Sequence, residues 1–199
     1  MVEKLRITLS QIFAVLLVAF ICVSGSSWDD RAPFVTTLLF LLGVVLVGIG
    51  SFGRLWCSVY IAGYKTKALV TQGPYSMCRN PLYFFSLLGA LGIGFASENF
   101  LIPIIISIGF AAYYILVIKS EEAQLARLHK EEFARYVKKV PRFFPKISYL
   151  TEPEEYIVKP VIFKSHMLSA IWFIWALGLL EIIKKLHELK ILPTLFHIY

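Results

Sequence analysis

Charge is scarce in this chain, and cysteine scarcer. Asp, Glu, Lys and Arg make up 17% of 199 residues, and apolar residues 58%. Soluble domains carry about 25% charge and about 45–50% apolar residues. With a mean hydropathy of +0.71, the composition is that of a membrane protein rather than a soluble globule. The three cysteines, Cys22, Cys57 and Cys78, form no CxxC pair and no histidine-containing metal pattern. Cys22 and Cys57 lie in apolar segments and read as small packing residues, and no structural disulfide is expected. Cys78 falls in a polar loop, where an accessible thiol has room. Also missing are a Ser-His-Asp order, a paired-carboxylate hydrolase signature, a phosphate-binding loop and zinc-ligand spacing. His129, His166, His187 and His197 are scattered and read as interface or surface residues. Acids are the minority among the charges, 13 against 20 lysines and arginines, for a net +7. In a membrane chain that excess is a topology signal and an attraction to anionic headgroups. No nucleic-acid partner is expected, because no basic stripe is interleaved with a soluble surface.

What is present is a series of apolar runs. The first, Leu9 to Val23, follows Lys4 and Arg6 and precedes Ser24-Gly25-Ser26-Ser27. It resembles a signal peptide, but its length and the runs that follow favour a retained span. Trp28-Asp29-Asp30-Arg31 is a polar turn. Pro33 then suits the first turn of a helix running from about Phe34 through Gly50 and on to about Ala62. Gly43, Gly48, Gly50 and Gly53 suggest close helix packing in lipid. A third span runs from Pro81 to about Ala96, with Gly89, Gly92 and Gly94. The turn Ser97-Glu98-Asn99 leads to a fourth, Phe100 to Ile118. Spans joined so tightly form an antiparallel hairpin. Lys119 to Lys139 reads as a separate amphipathic helix with Leu125, Leu128, Phe133, Tyr136 and Val137 at helical spacing and a Glu131–Arg135 pair. Val140-Pro141-Arg142-Phe143-Phe144-Pro145 ends it. A last run, Met167 to Leu180, is a fifth span or a short interfacial helix. The expected fold class is all-α, a polytopic transmembrane helical bundle of about five spans. It divides into N-terminal spans (1–62), a core (63–147) and a C-terminal linker and helix (148–199). With the N-terminus inside, all but four of the 20 lysines and arginines lie on the cytoplasmic side.

The stretch that breaks this oily pattern is Leu69 to Tyr83, L-V-T-Q-G-P-Y-S-M-C-R-N-P-L-Y. Gly73-Pro74 marks a turn, and Arg79-Asn80-Pro81 sets an arginine and an asparagine at the mouth of a span. Such residues are costly to desolvate and usually have a partner. A snorkelling arginine in an ordinary loop is the simpler alternative to a ligand site. Glu121-Glu122 lies where the fourth span leaves the membrane, on the same side. One of these carboxylates suits a cationic group, the Arg79 fork suits a carboxylate, and Tyr75 and Tyr83 offer aromatic faces. Together they suit a zwitterionic, partly cationic ligand. A solvated acidic pair is the alternative for Glu121-Glu122. On the second helix Arg54 either snorkels or lines a polar pocket.

The order L-V-x-x-G-P-Y-x-x-x-R-N-P-L-Y, two spans, E-E-x-x-L, a tyrosine and V-P-R-F-F-P resembles the isoprenylcysteine carboxyl methyltransferase and phospholipid methyltransferase superfamily, over about Tyr60 to Pro145. The resemblance implies an integral membrane enzyme that transfers a methyl group from S-adenosylmethionine, releasing S-adenosylhomocysteine. The acceptor would be a lipid or lipidated molecule arriving from the bilayer. It implies a cytosol-facing cofactor site lined by Tyr60, Ala68, Leu69, Val70, Tyr75, Asn80, Pro81, Leu82 and Tyr83. Arg79 and Glu121 would act as the catalytic pair, Glu121 near the cofactor's amino group. Three departures stand out. Asn80 occupies a position that is often histidine, and His129-Lys130 replaces an aromatic-glycine pair. Val117 stands where the eukaryotic enzymes carry an arginine for the acceptor carboxylate. Arg54, Lys119 or Arg142 would then meet an anionic acceptor. A phospholipid amine or lipid phosphate methyltransferase, and a non-enzymatic channel or transporter subunit, are the competing readings.

Overall fold

Apolar runs become long helices, and prolines mark where three of these and one single-turn helix start. The computed structural model describes residues 12, 15–26, 32–64 and 68–198. Residues 15–23 are helical (α1). They are followed by α2 (Pro33–Ile61), α3 (Pro74–Met77), α4 (Pro81–Ala96), α5 (Leu101–Lys139), a 3-10 turn at Ile147–Tyr149, and α6 (Pro160–Glu188). Each of α2, α3, α4 and α6 opens on a proline, whose missing N–H is among those left unpaired at a helix start anyway. Lys4, Arg6, the turn Trp28–Arg31 and the lysines 65 and 67 lie outside the described residues.

The protein is an all-α membrane bundle. Three helices, α2, α5 and α6, are long and apolar enough to cross a bilayer, and α4 is a shorter apolar helix. At 1.5 Å per residue α2 measures about 44 Å and α4 only about 24 Å, against a hydrocarbon core of about 30 Å. Large apolar side chains such as Phe34, Phe52, Ile108, Leu116, Trp172 and Trp175 stay exposed on the outer faces, as lipid-facing residues must.

Two helices differ from the sequence expectation. The fourth span does not end at Ile118 but continues through residue 129, so the two helical pieces of α5 meet at a kink eleven residues later than expected. Residues 119–129 contain no glycine or proline and are rich in strong helix formers, so nothing stops the helix at the membrane exit. The break comes instead at Lys130, whose φ of 35° and ψ of −109° are non-helical. Beyond it Phe133 and Tyr136 are the buried positions, whereas Leu128 stays exposed. The last apolar run lies within a 29-residue helix, α6, longer than the expected 167–180.

The closest seam is between α2 and α4. A Cβ at Gly50 would lie 2.5 Å from the Gly89 backbone N, and one at Gly43 would lie 2.6 Å from the Gly92 carbonyl O. Glycine is required there because the backbones themselves touch. Gly48 has open space beside it, and Gly94 packs on Pro103 of α5. One apolar cluster (Ile21, Ala96, Ile102, Ile106, Leu180, Ile183) fills the end of the bundle near the α4–α5 turn. A second (Cys57, Tyr60, Tyr75, Phe85) fills the opposite end, under the loop 68–80. At the first end Lys184 pairs with Glu98 and Glu181. A short parallel pair there, β1 (Ser24–Ser26) with β2 (Phe196–Ile198), joins the two ends of the described chain.

Candidate functional site

The polar stretch 73–80 is stitched to the segment after α5 by backbone hydrogen bonds. Arg79 N–H donates to the Pro141 carbonyl (2.9 Å), Lys146 N–H to Met77 (3.0 Å) and Gly73 N–H to Thr151 (2.8 Å). Tyr136 Oη donates to the Tyr75 carbonyl (2.6 Å), and Thr151 N–H to Ser76 Oγ (2.9 Å). The prolines at 141 and 145 keep this segment extended enough to lie along the loop. α3 is a single turn, and Gly73 before it has φ 57°, a conformation glycine adopts without strain.

Glu122 is the hub beneath this stitching. One carboxylate oxygen lies 3.0 Å from Arg79 Nη1 and accepts from Asn80 Nδ2 at 3.2 Å. The other accepts from Arg142 Nε at 3.0 Å and Nη2 at 2.8 Å. Asn80 also donates to the Arg142 carbonyl (3.0 Å). Arg79 and Glu122 side chains are each 10% exposed, whereas Arg142 is 52% exposed. This clamp ties the start of α4, the middle of α5 and the loop after it into one unit. Two guanidiniums on one carboxylate leave it one positive charge in excess.

The other predicted residues fall around the clamp. Tyr75 is buried, and its hydroxyl has no partner among the described residues. Burial pushes the Tyr75 phenol well above its ordinary range, so it stays a neutral donor. Glu121 is half-buried and within electrostatic range of Tyr75. Tyr83, half-buried, meets Tyr114 edge-on at 4.9 Å between ring centroids, and Tyr114 stacks on Phe110 at 4.0 Å. Val70 and Leu82 pack against the apolar cluster of Tyr60 and Tyr75. Pro81 is buried, Leu69 half-buried and Ala68 exposed. Tyr60 faces a different partner, its hydroxyl 3.4 Å from Glu152 Oε1 and its ring 4.7 Å from that of Tyr156.

The three cations weighed for an anionic acceptor separate. Lys119 is exposed on α5, outside the clamp. Arg142 is already held by Glu122. Arg54 donates to Ser86 of α4 and to Ser169 of α6 (2.9 Å). Cys78 is fully buried, and burial pushes its thiol up to about 12, so it is not the accessible thiol that its loop position suggested.

A cavity of about 270 Å³ opens between α4, α5 and the loop, lined by Leu87, Phe110, Tyr114, Ile118 and Phe143 with Arg142 at its polar edge. Sequence reasoning did not single out Phe110 or Tyr114, gave Tyr136 no role beyond the amphipathic face and the family pattern, and treated Glu122 only as half of an acidic pair. Tyr136 was on the amphipathic face, but nothing in the sequence tells that its hydroxyl reaches Tyr75.

No solved structure matches this chain. The nickel-cobalt-cadmium resistance protein NccN of Alcaligenes xylosoxydans xylosoxydans is 35% identical over 92% of this chain and 84% of its own. The cobalt-zinc-cadmium resistance protein CzcN of Cupriavidus metallidurans is 34% identical over 94% of this chain and 85% of its own. A protein-S-isoprenylcysteine O-methyltransferase of Schizosaccharomyces pombe is 32% identical over a shorter stretch, 42% of this chain and 35% of its own. The model of the phospholipid methyltransferase family matches residues 33–132, from the start of α2 through the clamp carboxylate to just past the α5 break, and the chain belongs to that family of membrane methyltransferases.

Proposed function

We propose that the protein transfers a methyl group from S-adenosylmethionine to a lipid-like acceptor reached from the bilayer, with the cofactor site on the cytoplasmic side. The observation that carries this reading is the Glu122 clamp, which holds Arg79 and Asn80 rigidly beside Tyr75 and Glu121 within the segment the family shares. The residues suit the cofactor. Arg79 Nε and Tyr75 Oη are buried donors without partners, a combination that matches a carboxylate and a ring nitrogen. The Glu121 carboxylate suits the ammonium, and Tyr83 offers an aromatic face to a cation.

Bound there, S-adenosylmethionine supplies an electrophilic methyl group on a sulfonium and leaves as S-adenosylhomocysteine. The chain's own residues do the positioning. Arg79 and Asn80, fixed by Glu122, orient the carboxylate end. The Tyr83–Tyr114–Phe110 stack and the covering segment 140–145 exclude water, and the apolar cavity takes a hydrocarbon chain. An anionic acceptor needs orientation more than it needs a base, so proximity and a dry site carry most of the acceleration. The acceptor class nearest this reading is a prenylcysteine carboxylate, with a phospholipid amine or a lipid phosphate as the competing substrates.

Titration of detergent-purified protein with S-adenosylmethionine and S-adenosylhomocysteine tests it. Both should raise the melting temperature, and Glu121→Ala should remove the effect while leaving wild-type helicity. Absence of any shift in wild-type protein would overturn the reading and favour a non-enzymatic membrane protein. Incubation with methyl-labelled cofactor and membranes, then separation of lipid from protein fractions, identifies the acceptor.

A further inference from the structure

Arg54 is the one cation in the membrane-spanning part of α2, and its surroundings differ from those of the clamp arginines. Its two terminal nitrogens donate to neutral hydroxyls, Ser86 Oγ and Ser169 Oγ. Ser86 Oγ in turn donates to the Leu82 carbonyl. The guanidinium lies 5.5 Å from the centre of the Phe173 ring. Its Nε is buried and has no partner, and among the described residues no carboxylate pairs with it. Tyr75, Tyr83 and Tyr114 lie within electrostatic range, and Tyr75 Oη is a second buried donor without a partner. An arginine keeps its charge at any accessible pH, and a membrane-depth cation without a counter-ion is costly. The group therefore has donors and charge to offer and nothing in the described chain that accepts them in full.

The depth is also defined. Ser86 lies six residues beyond Asn80 on α4, so the guanidinium sits about 9 Å further into the bilayer than the clamp, at 1.5 Å per residue. Ser169, which the guanidinium reaches across to α6, is exposed on the lipid-facing side. A lipid-borne anion can reach an exposed residue at that level by diffusing in the membrane.

We propose that Arg54, with Ser86 and Ser169, is a binding site for the oxyanion, carboxylate or phosphate, of a lipid-chain molecule that enters between α2 and α6. The site deepens the methyltransferase reading and rests on it in one respect: the oxyanion lies beneath the proposed cofactor site, where an acceptor's reacting group belongs. The same chemistry would serve a resident membrane lipid.

The test uses full-length protein in detergent with three probes: oleate, dioleoyl phosphatidate, and oleyl alcohol as the uncharged match. Oleate or phosphatidate should raise the melting temperature where oleyl alcohol does not. Arg54→Gln should weaken that response by about tenfold in apparent affinity, the loss expected for one charge-assisted contact, and Arg54→Lys should retain part of it. Ser169→Leu, which fills the lipid-facing mouth, should have the same effect as Arg54→Gln and keeps the test open should Arg54→Gln fail to fold. An equal response to oleyl alcohol, or an unchanged oleate response in Arg54→Gln and Ser169→Leu, would overturn the site. S-adenosylmethionine titration of the same variants separates the two proposals, because cofactor binding at the clamp should survive. Labelled methyl transferred to the bound probe identifies the oxyanion as the acceptor's, and binding without transfer identifies a resident lipid.

Discussion

Arg79 and Arg54 are two arginines at the same end of one bundle, about 9 Å apart in depth by helix rise, and they are stabilised in opposite ways. Arg79 is 10% exposed and sits on an equally buried carboxylate that a second arginine and an asparagine also grip. Arg54 has two serine hydroxyls and an aromatic face. The first arrangement carries its counter-charge within the chain and fastens the loop 73–80, leaving only Arg79 Nε unpartnered. The second is incomplete within the described residues and reads as a receptor. Burial alone does not distinguish the two arginines, since each has a buried Nε without a partner. The presence or absence of a counter-charge does.

Breaking the fastener should have the largest effect. Glu122→Ala strands Arg79 and frees Arg142, and removing one partner from a buried ion pair costs about 3–5 kcal/mol. A value near the lower end is expected because Arg142 is 52% exposed. Thermal unfolding in detergent should show a large fall in melting temperature, and an unchanged value would make the clamp ornamental. Forcing α2 away from α4 comes next. Gly50→Leu drives a side chain into the Gly89 backbone, and overpacking of this kind costs about 1–3 kcal/mol. Gly48→Leu, facing open space, is the matched control and should leave stability unchanged. Arg54→Met sharpens the contrast by sign: removal of an uncompensated cation should leave stability level or raise it by about 1 kcal/mol at most, with the melting temperature following. A marked fall would show that Arg54 is as structural as Arg79. The smallest effect is local to α5. Lys130→Gly relieves a positive φ that a lysine adopts only under strain, and should stabilise by about 1 kcal/mol, read from the same melts.

That last position shows what a sequence can and cannot say. The family resemblance marks 129–130 as an aromatic-glycine position that this chain fills with His-Lys, and the backbone there retains the glycine-like conformation. The apolar runs and their glycines were legible because lipid burial and close helix approach each demand particular residue types. Gly43 and Gly50 accordingly face Gly92 and Gly89. The polar stretch 69–83 was legible as an anomaly for the same reason. Which of Glu121 and Glu122 turns inward was not, because neighbouring residues on a helix point about 100° apart and the phase is set by packing with α4. Nor was the continuation of the fourth span through 119–129: a sequence of helix formers carries no mark at the membrane surface. The partner of Tyr60 lies 92 residues away at Glu152, a separation at which local pattern carries no information.

The pairing of β1 with β2 has a consequence for how the molecule is made. Residues 24–26 lie beside residues 196–198, Leu195 N–H reaches the Val23 carbonyl at 2.8 Å, and His187 Nε2 lies 2.9 Å from the Cys22 carbonyl. During synthesis the earliest described helix therefore leaves the ribosome well over a hundred residues before the strand that secures it. It must wait in the bilayer, docked by lipophilic packing alone, until the last segment arrives, and long-range closures of this sort form late. Assembly should then end with a latch: a nascent chain stalled before residue 195 would carry a formed clamp and an unsecured first helix.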